Sequence, residues 1–218
     1  LWDAAKATAT APWPVRVRAL RAAAAAAHPS DSVHRRALVA IASTLRRAGH
    51  QPGALAFQSR AATLGARRDR RRIDAELTLG KMLRREMDLE AAARHLDAVA
   101  QDGRAVAWRS AEKALHLLAE DAFDRGNGGA IRLLLERQAK ARCRAHVRLE
   151  TLGWLGLLQL ERGDRRRAER THRAAKRLYT EAARADDAAA IRCARLWLDY
   201  PLREALSRTR PDTPPRPP

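Results

Sequence analysis

Apolar residues recur along this chain at intervals of three and four, not two. No run of β-branched and aromatic residues alternates with period two, so no strand is predicted. Helix-forming stretches of about 12–20 residues are separated by short interruptions of Gly, Asp, Asn and Pro. These fall at His28-Pro29-Ser30, Gly49-His50-Gln51-Pro52, Met87-Asp88, Asp102-Gly103, Gly126-Asn127-Gly128-Gly129, Gly163-Asp164 and Asp199-Tyr200-Pro201. Helices of this length joined by tight turns pack as antiparallel pairs.

The interruptions are periodic. Aligning Gly49, Met87, Gly126 and Gly163 gives spacings of 38, 39 and 37 residues. Seven residues before each lies a small side chain, Ala42, Gly80, Ala119 or Gly156, preceded by a large one, Ile41, Leu79, Leu118 or Leu155. A small residue lets the facing helix approach closely, and the large neighbour fills the layer between helices. Small residues also recur after the turns, most clearly at Ala168 and Ala175 behind Gly163-Asp164, at Ala54 and Ala61, and at Ala92; Val99 takes the second place behind Met87. The third copy has a looser Gly126-Asn127-Gly128-Gly129 turn, followed by Ala130 or Ile131.

This arrangement resembles the tetratricopeptide repeat, stretched from about 34 residues to about 38. The resemblance covers roughly residues 30–206 and implies an all-α fold, a right-handed α-solenoid of antiparallel helix pairs. Residues 1–29 are expected to form an N-terminal flank, with one helix from Pro14 to Ala27. Ala188–Leu198 and Leu202–Leu206 are expected to close the array. Residues 207–218 read as a Pro-rich disordered tail.

In such repeats the first helix of each pair lines a binding groove. Carried over, the groove residues are Arg36, Ser43, Arg46 and Arg47, then Lys81, Arg84 and Arg85, then Lys113, His116 and Glu120. The Asn residues with which some family members grip a peptide carboxylate are absent: Ser43, Lys81, Glu120 and Leu157 stand at that place.

Composition adds charge to this picture. Hydrophobic residues make up 46% of the 218, but aromatics only 4%, so thin helical layers suit the chain better than one thick core. The 43 basic residues outnumber 25 acidic ones, for a net charge of +18. Only five are lysines, and 38 are arginines, as a GC-rich genome would write. Codon bias explains Arg in place of Lys but not the excess of cations, which points to an acidic partner. Arg166, Arg170, Arg173, Arg177 and Arg184 share one stripe of one helix. Arg165, Arg166 and Arg167 crowd a helix N-terminus, where cations are disfavoured. Arg137, Lys140, Arg144 and Arg148 form a second cluster with no acidic residue between them, and Arg67 to Arg72 a third. A solvated basic face is the simpler reading of any one cluster; three self-repelling clusters together put an anionic partner on an equal footing with it.

Motifs for catalysis are missing. No Gly-rich phosphate loop or His-Glu-x-x-His occurs. Cys143 and His146 could share a helix face, but two ligands make no zinc site, and the two cysteines read as buried free thiols. The tryptophans, spread one per region, read as layer fillers. No metal, cofactor or small-molecule substrate is expected. No stretch is apolar enough to enter a membrane, and an intracellular, soluble protein of the cytoplasm or an organelle matrix is expected. The opening residue is Leu1, so the chain reads as a processed form or a piece of a longer protein. The leading expectation is a non-enzymatic protein-interaction scaffold with a basic surface. Its alternatives are an RNA-associated component of a ribonucleoprotein, such as an organellar ribosome, or a regulatory domain of a larger protein.

Overall fold

The computed structural model describes residues 1–29, 32–197 and 205–206. The elements among them are all helices: α1 (Trp2–Ala7), α2 (Trp13–Ala26), α3 (Ser32–Arg47), α4 (Gln51–Thr63), α5 (Arg70–Arg85), α6 (Leu89–Val106), α7 (Trp108–Asp124), α8 (Gly128–Lys140), α9 (Ala145–Glu161), α10 (Arg165–Arg184) and α11 (Ala188–Trp197). They fall into two compact units, Leu1–Ala114 and Leu115–Pro218, with the division inside α7.

Every aligned turn has the same backbone solution. Gly49, Met87, Gly126 and Gly163 all have left-handed φ, at 83°, 61°, 64° and 75°. The next residue donates its N–H five residues back, from His50 to Leu45, Asp88 to Leu83, Asn127 to Ala122 and Asp164 to Gln159, at 2.8–3.0 Å. This is the Schellman closure of a helix C-terminus. That same next residue then starts the following helix. The side chains of Asp88, Asn127 and Asp164 accept from the N–H of Ala91, Ala130 and Arg167, satisfying donors that a helix start leaves bare. A fifth turn, unforeseen in the sequence, repeats the device: Asp186 has φ 53°, Asp187 N–H bonds Ala182, and the Asp187 carboxylate caps Ala190.

In the N-terminal unit α1 to α6 pack each against the next. The flank contains two helices where the sequence suggested one. Ala5, Val17, Leu20 and Ala23 join Ile41, Leu45, Ala54 and Met82 in one buried cluster, with Trp2 packed against it. In the C-terminal unit α9 packs against α8, α10 and α11. The small residues behind the turns, Ala54, Ala61, Ala92, Ala168 and Ala175, are all fully buried, as is Val99. A Cβ at Gly80 would stand 2.9 Å from Leu96 Cδ2, so any larger residue would push the Leu96 side chain aside where α5 meets α6. The third repeat is the loosest, with Ala119, Ala130 and Ile131 only half-buried. The expected tail and residues Leu198 and Leu202 lie outside the described residues.

Candidate interaction surfaces

The N-terminal unit carries most of the expected groove residues. Lys81, on α5, is half-buried. Burial pulls its pKa below the ordinary lysine range, and the charges of Lys113 and Arg85 pull it further. The structure therefore brings these three cations together from α5 and α7. Lys81, Arg85 and Lys113 have no acidic partner among the described residues. On α3 Arg47 donates to Ser43 Oγ at 3.3 Å, and Arg46 is half-buried. Arg36 is less available than expected, because its guanidinium lies 5.0 Å from the Trp2 ring of α1. Arg84 is half-buried and already engaged. In the C-terminal unit His116 is paired with Glu120 at 2.9 Å.

The cluster from Arg67 to Arg72 is a structural clamp. Arg35, almost fully buried on α3, donates to Asp69 at 2.6 Å, while the Asp69 carboxylate also accepts from Arg71 N–H at the start of α5. Burial raises the Asp69 pKa, but the Arg35 hydrogen bond, the Arg71 amide and the Arg35 charge outweigh it, and the net pKa is lowered. Gly65 makes room for this guanidinium, since a Cβ there would collide with it. Arg67 pairs with Asp102 at 2.8 Å, and Arg72 donates to the Gly65 carbonyl at 3.2 Å. Of the five arginines expected to repel, Arg67 and Arg72 thus hold the loop between α4 and α5, while the side chains of Arg68, Arg70 and Arg71 stay exposed.

A similar correction applies to Arg137, Lys140, Arg144 and Arg148. The chain leaves the helix between α8 and α9, so these residues occupy two helix ends and no single stripe. Arg148 closes the break, donating to the Ala141 carbonyl at 2.7 Å. Arg137 and Arg144 are also engaged, and Lys140 is exposed. Cys143 lies in the same break, before α9 begins, and cannot share a helix face with His146. Both thiols are half-buried, and each donates to a backbone carbonyl, Cys143 to Gln138 and Cys193 to His146. Burial and the neighbouring Glu150 raise the pKa of Cys193. Among the described residues no three His, Cys, Asp or Glu side chains could hold a metal ion.

The structure places the remaining set of arginines along α10. Arg166, Arg170, Arg173, Arg177 and Arg184 are all exposed, and none has an ion pair among the described residues. The crowd at its N-terminus is better compensated than the sequence suggested: Arg165 pairs with Glu169 at 2.9 Å and Arg167 with Asp164 at 3.1 Å.

An aromatic group escaped sequence reasoning. Phe123 of α7, Trp154 of α9 and Trp197 of α11 meet in the C-terminal unit, with ring centroids 5.8 Å and 4.7 Å apart. Trp197 lies over Gly153, where a Cβ would meet its ring at 3.0 Å. Phe123 remains 59% exposed and Trp154 38%. These rings do not simply fill a layer. Trp13 is also exposed and leans on His50, 4.5 Å away.

No family model matches the sequence, and no curated protein matches it. Solved structures do match its fold. A kinesin light chain of Podosopora anserina with nearly identical TPR-like repeats superposes with a TM-score of 0.53 at 15% identity, covering 83% of this chain and 94% of that one. BtubC (BKLC) from P. vanneervenii gives 0.54 at 15% identity, over 78% of this chain and 73% of its own. MamA gives 0.52 at 15% identity, over 79% and 91%. Together with the recurrent turns and buried small residues, these likenesses show a tetratricopeptide-like helical-hairpin repeat fold.

Proposed function

We propose that this chain is a non-enzymatic protein-interaction scaffold whose partners are acidic polypeptides. The cluster of exposed Phe123 and Trp154 with half-buried Trp197 carries the reading. Exposed aromatics held in place by packing are the usual anchors of protein interfaces, and a rigid ring loses little entropy on binding. The seat of Trp197 on Gly153 provides that rigidity. The acidic character of the partner is supported by Lys81, Lys113 and Arg85, whose repulsion an incoming carboxylate would relieve. No helix among the described residues is long and apolar enough to cross a membrane.

Affinity capture with ribonuclease present, followed by quantitative titration of the captured polypeptide, tests the reading. Trp154→Ala should weaken that polypeptide by about 2 kcal/mol. A double change of Lys81 and Lys113 to Gln should reduce the salt dependence of binding. If Trp154→Ala binds as the parent does, the aromatic cluster is not the interface. If all capture disappears with ribonuclease, the protein-scaffold reading fails.

A further inference from the structure

We propose that the outer face of α10 docks on the phosphate backbone of double-stranded nucleic acid. At 100° per residue Arg166, Arg170, Arg173, Arg177 and Arg184 fall within an arc of about 60° on the helix. At 1.5 Å per residue they extend over about 27 Å, with successive charges about 4.5–10 Å apart. All five are exposed and lack ion pairs among the described residues. Of the acidic residues on the helix, Glu169 is taken by Arg165, and Glu181 stands at the edge of the stripe. The opposite face of α10, with Ala168, Thr171, Ala175 and Ala182, is buried, so the helix is anchored and cannot roll the stripe away.

The chemistry of this face selects among polyanions. A membrane-surface helix needs large apolar side chains beside its cations. A protein interface needs an apolar centre. The exposed residues of α10 include neither: beyond the stripe they are Arg167, Lys176, Thr180, Glu181 and Ala183. Single-strand binders add stacking aromatics to their charge, and no aromatic of α10 is exposed. Guanidinium groups in a row suit phosphate oxygens, which they grip in a bidentate manner. A duplex presents such oxygens on a stiff frame that matches a stiff helix. Binding through phosphates alone ignores base sequence.

The test is fluorescence anisotropy of the full chain with a labelled RNA duplex of roughly two turns, from about 50 to 200 mM salt. The variant changes Arg166, Arg170, Arg173 and Arg177 to Gln, which keeps helix propensity. The slope of log K against log salt should become shallower by about 3.5, from about 0.9 per phosphate. A control with Arg18, Arg60, Arg68 and Arg104 changed to Gln removes the same net charge from exposed positions elsewhere. Its slope should stay near that of the parent. Should the quadruple variant fail to fold, the pair Arg173→Gln and Arg177→Gln should lower the slope by about 1.8. A DNA duplex of the same sequence should lose the same slope, because the phosphate rows are shared. The proposal is overturned if the stripe variant keeps the parent slope, or if the control loses as much. It is equally overturned if shuffling the base sequence changes affinity more than tenfold. Binding of anionic vesicles or polyglutamate at low salt, with the duplex left unbound, would also overturn it.

Discussion

Met87 occupies the turn position that glycine holds in the other three aligned repeats. Its φ of 61° places a Cβ against the following carbonyl, which costs an L-residue about 1–2 kcal/mol. Nothing repays that cost through burial, since the Met87 side chain is 74% exposed. Glycine would remove the clash but lose about 0.5–1 kcal/mol through the greater freedom of the unfolded chain. The net expectation for Met87→Gly is a gain of roughly 0.5–1 kcal/mol, or about 1–4 °C in Tm for a chain of this size. Met87→Ala separates the causes, because it removes the same exposed side chain while keeping the Cβ. It should gain nothing. Urea and thermal unfolding followed by far-ultraviolet circular dichroism would measure both. Should Met87→Gly prove no more stable than Met87→Ala, left-handed strain is not stored at this turn, and the equivalence of the four turns is only geometric.

Two further outcomes test the packing and the clamp. Gly80→Leu should destabilise by about 2 kcal/mol, because the overpacking against the buried Leu96 exceeds the roughly 1 kcal/mol gained in helix propensity; chemical denaturation reads this directly. Asp69→Ala removes both the partner of Arg35 and a helix cap, and should cost about 2 kcal/mol at neutral pH after allowance for the partial exposure of the carboxylate. The Asp69 pKa is lowered on folding, so its contribution is present above the ordinary carboxylate value of 3.8 and is lost as pH falls through the lower folded value. The stability difference between Asp69→Ala and the parent should therefore shrink across that acid range, and a difference independent of pH would refute the ion-pair account.

Features carried by one helix or one turn were legible in the sequence. The α10 stripe needs only helical periodicity, and Gly49, Gly126 and Gly163 announce left-handed turns by residue type. Asp186 makes the same turn without glycine and gave no such signal. Helix α1 has only six residues and is supported by docking Trp2 and Ala5 on neighbours, so its own pattern could not reveal it. The Arg35–Asp69 pair joins residues 34 apart and the Arg67–Asp102 pair residues 35 apart, so the run from Arg67 to Arg72 looked like a repelling cluster until folding supplied partners from elsewhere. Phe123, Trp154 and Trp197 come from three different helices, and only stacking brings their rings together. Side chains that meet through tertiary packing leave no local periodicity to detect.

The shared turn residues have a mechanical consequence. Asp88, Asn127, Asp164 and Asp187 each close one helix with the backbone and open the next with the side chain. No residue in between is left as slack. A hairpin joined this way behaves as one stiff part, and bending strain within a unit passes to the longer loops at 64–69 and 141–144. The first of these is braced by Arg35, Arg67 and Arg72, the second by Arg148 and by the Cys143 thiol on the Gln138 carbonyl. Under load or thermal agitation these two loops are the compliant joints, and a single-residue insertion would be absorbed there at less cost than in any of the tight turns.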